Sequence, residues 1–107
     1  YNYDGTTTGN KIAKAMASTT GWNSSSEVGV VGNDQSLNNS SDFNAFPEGN
    51  RYYNGSFYDE GYNAFFWSST EYNSSYAWFR NLNVNYSFLN RSNYFKQNGF
   101  SVRFVRD

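Results

Sequence analysis

Apolar positions are sparse along this chain and unevenly spread. The first ordered pattern is Asn10-Lys-Ile-Ala-Lys-Ala-Met-Ala-Ser18, where Ile12 and Met16 stand four apart and so share one helical face. Asn10 is of a type that caps helix starts and Gly21 of a type that ends helices. The pattern predicts a short helix over 10–18, with Lys11 and Lys14 on its wet side. From Trp22 to Asn44 polar, Gly, Ser and Asn positions dominate, broken by Val28, Val30, Val31 and Leu37. A long loop region is expected there, pinned by Trp22 and Phe43.

Beyond residue 44 the pattern changes to short apolar or alternating pieces divided by turn residues. Pro47-Glu-Gly49 reads as a turn, and Asn54-Gly55 as a two-residue hairpin connection. Ala64-Phe-Phe-Trp67 reads as a buried strand. In Arg80–Tyr86, Leu82, Val84 and Tyr86 alternate with Asn81, Asn83 and Asn85, placing the two sets on opposite faces of a strand. The same reasoning makes Gly99–Val105 a strand, with Phe100, Val102 and Phe104 on one face and Ser101, Arg103 and Val105 on the other. One helix followed by short strands predicts an α+β fold with an antiparallel sheet. The length of 107 residues fits a single domain, 1–107.

Composition sharpens this picture. Leu, Ile, Val and Phe make up only 20 of the 107 residues, but the net charge of −1 is too small for the disordered class, and 23 aromatic residues supply buried area instead. The absence of Cys excludes disulfides, zinc thiolates and thiol nucleophiles; the absence of His removes the usual general base. The charge balance argues against a nucleic-acid footprint, and no apolar run approaches the ~20 residues of a membrane span. Asn, Ser, Tyr and Phe together account for 52 residues. The excess is local: these four types number 18 in residues 1–49 and 31 in the equal window 50–98, where Tyr plus Phe rise from 4 to 14.

An ordered succession of motifs then carries a family likeness: Gly21-Trp-Asn-Ser, Phe46-Pro-Glu-Gly-Asn-Arg51, Tyr53-Asn-Gly-Ser-Phe57, Phe66-Trp-Ser-Ser-Thr-Glu71, Ala77-Trp-Phe-Arg80 and Lys96-Gln-Asn-Gly-Phe-Ser-Val-Arg-Phe-Val-Arg-Asp107. Over residues 21–107 the chain resembles the Fibrobacter succinogenes major paralogous domain, a family of Bacteroidetes and their phages. The resemblance implies a C-type-lectin-like fold, with short antiparallel strands, one or two short helices and long loops. Some members resemble the variable proteins of diversity-generating retroelements, in which template adenines are mutated so that Asn codons scatter into Tyr, Ser, Asp and Phe. Two departures stand out: Phe104 occupies the usual Cys position, and the upstream segment common in the family is not within this stretch.

Read through that resemblance, region 50–98 becomes a variable ligand-binding region. Its candidate residues are Asn50, Tyr52, Tyr53, Tyr58, Tyr62, Asn63, Phe65, Tyr72, Asn73, Ser75, Tyr76, Phe79, Asn81, Asn83, Asn85, Tyr86, Phe88, Asn90, Ser92, Asn93, Tyr94 and Phe95. Physical chemistry supports such a vocabulary: Tyr offers large contact area with two torsions to freeze, while Ser and Asn adapt their hydrogen bonds. The bland alternative is that many of these rings form the core of an aliphatic-poor domain. Tyr86 is the doubtful member, since its alternation joins Leu82 and Val84.

Catalysis finds little support. Ser68, Ser69 and Thr70 after Trp67 lack a base and a nucleophile elbow, and of Glu48, Asp59, Glu60 and Glu71 only Asp59 and Glu60 are adjacent, pointing apart on a strand. Asn33, Asp34, Asp42 and Asn44 offer oxygen ligands for calcium without a known spacing. Arg51, Arg80, Arg91, Arg103 and Arg106 are expected to pair with Glu48, Glu71 or Asp107. The expectation is therefore a non-enzymatic recognition domain without cofactor or metal. It would be extracellular, on a bacterial surface or phage virion, and bind a protein or glycan on another cell without engaging nucleic acid or inserting into a membrane. A homo-oligomer is compatible with that reading; a structural assembly module whose aromatic face packs on another subunit is the alternative.

Overall fold

The computed structural model describes residues 2–104. In chain order it has a helix α1 (Ala13–Met16), a 3-10 turn (Gln35–Leu37), and strands β1 (Asn50–Arg51), β2 (Phe57–Tyr58), β3 (Asn63–Glu71), β4 (Tyr76–Asn83) and β5 (Asn90–Phe95). β1 and β2 form a two-stranded ribbon, and β3, β4 and β5 form a three-stranded antiparallel sheet in that order. The fold is α+β and mostly antiparallel, as predicted.

The helix is shorter than its pattern. Asn10 caps nothing; its side chain donates to the Leu89 carbonyl (2.8 Å) and accepts from the Leu89 amide (3.0 Å). Ala17 turns into extended backbone and bridges Ala45, with the Ser18 amide on the Ala45 carbonyl at 2.8 Å. A four-residue helix has almost no stability of its own, so its limits are set by these long-range partners.

Lys14 corrects the expected wet face. It is 4% exposed, and its ammonium donates to Asn38 Oδ1 (2.9 Å), to the carbonyls of Asp34 (3.1 Å) and Val30 (3.4 Å), and to that of Asn33. The polar 22–44 segment thus folds around a buried cation, which neutralises carbonyls that no regular element satisfies. Burial pushes the Lys14 pKa below its ordinary 10.5, opposed by the charge of Asp34. Two of the oxygen-bearing residues considered for calcium, Asn33 and Asp34, give their carbonyls to this ammonium.

The core joins Ala13, Ala17, Trp22, Val31, Ala45, Ala64, Leu82 and Val84, with Met16, Phe43, Phe66 and Leu89 packed against it. Trp22 and Phe43 are the loop anchors expected. Trp22 Nε1 donates to Ser18 Oγ at 3.1 Å, so the ring is buried without an orphaned donor. Leu82 is fully buried, a contribution of about 1.5–3 kcal/mol.

The turn at Asn54-Gly55 connects β1 to β2 as expected but is longer. Only Gly55 takes positive φ (+90°), and its amide bonds the Tyr52 carbonyl at 2.9 Å, whereas a two-residue type I′ connection needs positive φ at both central positions. The predicted strand at 99–105 is reduced to two bridges. Gly99 pairs with Arg51, and Ser101 pairs beside β3, exchanging bonds with Phe65 and Trp67. Val102 and Phe104 are exposed, 58% and 93%, so they do not join Phe100 on a buried face. Val105, Arg106 and Asp107 lie outside the described residues.

Candidate functional site

Residues paired across an antiparallel ladder point to the same side. The register therefore sorts the β3–β4–β5 sheet into two faces. One carries Asn63 and Asn83; Phe65, Asn81 and Asn90; Trp67, Phe79 and Ser92; and Ala77 with Tyr94. The other carries Ala64 and Leu82; Phe66, Arg80 and Arg91; Trp78 and Asn93; and Tyr76 with Phe95. Ala64, Leu82 and Phe66 turn the second face toward the core at one end of the sheet.

The first face begins as an asparagine network. Asn81 Nδ2 and Asn83 Nδ2 both donate to Asn63 Oδ1, at 3.1 and 3.0 Å, and Asn90 Nδ2 donates to Asn81 Oδ1 at 2.8 Å. Asn63 and Asn81 are buried. Next along the strands the face becomes aromatic. Phe100 stacks on Phe65 (4.7 Å, 14°) and tilts on Trp67 (4.3 Å), and Phe79 meets all three edge-on. Phe79 is only 5% exposed as a result.

The ribbon then lays tyrosines beside these rings. Tyr52 meets Tyr94 (6.0 Å, 84°) and Tyr58 (6.1 Å, 80°) edge-on, and the Tyr94 and Tyr52 hydroxyls share a hydrogen bond at 3.4 Å. That bond, followed by burial, raises the Tyr52 phenol above its ordinary 10.0. Tyr53 leans on Phe95, which stacks on Tyr76; Tyr76 and Trp78 both touch Tyr72. One continuous network of rings therefore runs from Tyr58 across the first face to Trp67, and round the end of β4 and β5 to Trp78.

Between ribbon and sheet lies a cleft of about 340 Å³, lined by Asn50, Tyr52, Tyr58, Asp59, Phe65, Tyr94, Asn98 and Phe100. It sits at the low end of the ~300–1,000 Å³ typical of small-molecule sites. Asn50, Tyr52, Tyr58, Phe65 and Tyr94 were expected at the site. Asp59, Asn98 and Phe100 were not, because they are far apart in the sequence and only the closing of the ribbon on the sheet brings them together. Asp59 sits at φ +67°, a conformation that Asp tolerates better than most residues. Gly49 holds the ribbon close: it has φ +69°, and a Cβ there would fall inside contact distance of the Tyr58 carbonyl.

The remaining candidates divide by burial. Tyr53, Tyr58, Tyr62, Tyr72, Asn73, Ser75, Asn85, Tyr86 and Phe88 are exposed; Asn50, Tyr52, Phe65, Tyr76, Asn83, Asn90, Ser92, Asn93, Tyr94 and Phe95 are half-buried. Asn63, Phe79 and Asn81 are interior, engaged with one another or with neighbouring rings. Asn73 faces solvent while its Oδ1 accepts from the Ser75 and Tyr76 amides at 2.9 Å, shaping the β3–β4 turn. Tyr86 leaves the face of Leu82 and Val84, turning out to stack on Phe88 at 4.7 Å, apart from the main network.

The arginines also differ from expectation. Among the described residues none pairs with a carboxylate; Arg91 lies over Trp78 (3.9 Å), and Arg103 over Phe43 (4.2 Å) and Phe66 (5.6 Å). In a ring-rich surface the planar guanidinium finds a π face more readily than a carboxylate. Glu71 pairs with Lys96 instead.

Compared with known proteins, the chain matches the family model described as Fibrobacter succinogenes major domain over residues 2–106. It matches no curated protein and no solved structure.

Proposed function

This chain belongs to the Fibrobacter succinogenes major domain family, and from that premise we propose that it is a non-enzymatic recognition domain. Its fold is C-type-lectin-like, and its ring-rich ribbon and sheet present a diversified surface to a protein or glycan on another cell. The setting is extracellular, on a bacterial surface protein or a phage tail fibre. The observation that carries this reading is that none of the eight tyrosines between residues 50 and 98 is buried. A domain short of aliphatic residues has every reason to bury its rings. Here it fills its core with Trp22, alanines, Val31, Leu82 and Val84, with Phe43 and Phe66 against them, and leaves five of the tyrosines exposed and three half-buried.

Targeted adenine mutation accounts for the same pattern, because it enriches Tyr, Asn and Ser at surface codons while scaffold codons stay fixed. The test is genetic. Copies of this gene, with a near-copy beside a reverse transcriptase, are expected to differ at the codons of the exposed residues Tyr53, Tyr58, Tyr62, Tyr72 and Tyr86, and to agree at Trp22, Ala64 and Leu82. Uniform tyrosine codons across copies would sink the display reading. A second reading, an assembly module, draws support from Phe57 and Phe104, 79% and 93% exposed. Sedimentation tests the second reading: assembly predicts a stable oligomer held through the exposed rings that Phe57→Ser breaks, and an oligomer unchanged by that substitution would sink it.

A further inference from the structure

Deepening the recognition reading, on which it rests, the chemistry of the cleft points to a ligand class. Five rings wall it, from Tyr52, Tyr58, Phe65, Tyr94 and Phe100. Its polar groups are few and of both kinds. Among the described residues Asp59 is the one charged residue lining it, and its carboxylate makes no hydrogen bond or ion pair with any of them. Asn98 is 4% exposed; its Oδ1 accepts from the Tyr53 amide at 3.0 Å, while Nδ2 is buried with no acceptor among the described residues. A buried amide donor without a partner costs about 1–3 kcal/mol, which an acceptor supplied by a ligand would relieve once a shift of the side chain opens Nδ2, closed off in the free protein, to the cleft. The Tyr52 and Tyr94 hydroxyls add groups that can donate or accept.

We propose that this cleft binds one neutral sugar ring. A pyranose has an apolar C–H face to lie on an aromatic ring and a rim of hydroxyls that both donate and accept, which matches flat rings bordered by the Asp59 carboxylate and the Asn98 amide. An anionic sugar would meet the charge of Asp59 with no cation among the described residues lining the cleft to offset it. An organic cation would suit the rings and Asp59 but leave the Asn98 donor unanswered. With one carboxylate, the cleft also lacks the several anionic oxygens with which a hard cation such as calcium is usually held, so binding needs no metal bridge.

The experiment is saturation-transfer NMR and titration of the protein with methyl glucopyranoside, methyl galactopyranoside and N-acetylglucosamine, beside choline and N-acetylneuraminic acid, with and without chelator. The expected result is saturation of at least one neutral glycoside through its C–H face, indifferent to chelator. Asp59→Asn, which keeps a residue tolerant of the left-handed backbone, is expected to weaken it about tenfold. Val28→Ala, at an exposed position outside both the cleft and the candidate region, is expected to leave it unchanged, and melting curves confirm that each variant is folded. Choline or N-acetylneuraminic acid binding more tightly than every neutral glycoside, loss of binding on chelation, or no glycoside signal at all would each overturn the assignment. The comparison of gene copies does not depend on ligand class, so the recognition reading and this one can fail separately.

Discussion

At the scale of single residues, side-chain type foretells chemistry better than place. Lys14 was expected in water on helical spacing, yet it is the cation around which the loop at 30–38 closes. Replacing it with Met keeps the stem's volume but leaves four oxygens facing an apolar group. Lys14→Met is expected to destabilise the domain by about 2–4 kcal/mol in urea unfolding. A loss below about 0.5 kcal/mol would mean that water satisfies those carbonyls. Asparagine shows the same ambiguity. Asn85 is exposed and Asn63 is buried, although both belong to one compositional excess, because an amide serves equally as a surface contact and as an interior hydrogen-bond hub.

Among the elements, strands were more legible than their neighbours. β3 was visible through its apolar run at 64–67, since period and burial mark it locally, but only the second half of β4 was, because the alternation from Arg80 to Tyr86 runs past the strand's end at Asn83 and misses its start at Tyr76. β5 was not legible: Asn-Arg-Ser-Asn-Tyr-Phe has no apolar alternation, and it becomes a strand through pairing with β4 and through ring contacts of Tyr94 and Phe95. The asparagine network that joins the three strands predicts a contrast between two substitutions of the same residue type. Asn63→Ala strips the acceptor shared by Asn81 and Asn83 and is expected to cost about 1–3 kcal/mol, whereas Asn85→Ala should stay within about 0.5 kcal/mol. Equal effects in chemical denaturation would show that the network adds nothing to the sheet.

On the scale of the whole molecule, the beginning of the described chain is tied in by polar contacts more than by apolar ones. Asn2 bonds the Thr8 carbonyl and the Lys11 amide, and Asp4 pairs with Lys11 at 2.8 Å. The Lys11 ammonium first, and then the Thr6 hydroxyl and amide, hold the Asp4 carboxyl well below its ordinary 3.8. A depressed folded-state value means that the pair's contribution is present above 3.8 and lost as pH falls through the folded value. Thermal melts taken downward from pH 5 are therefore expected to fall more steeply for the native chain than for Asp4→Asn. The difference should shrink in high salt, because the pair is solvent-exposed.

By itself the sequence determined the α+β class, the centre of β3 and the second half of β4, the Trp22 and Phe43 anchors and the concentration of rings after residue 49. It did so because hydrophobic period and residue chemistry are local properties. The tertiary structure alone decided which asparagines are inside, why Lys14 is dry, how the helix is cut short, and that a ribbon closes on the sheet to form a cleft holding Asp59, Asn98 and Phe100. Each of these depends on contacts between residues far apart in the chain. An alternating pattern names two faces of a strand, but only the packing of ribbon, sheet and loop says which face meets water.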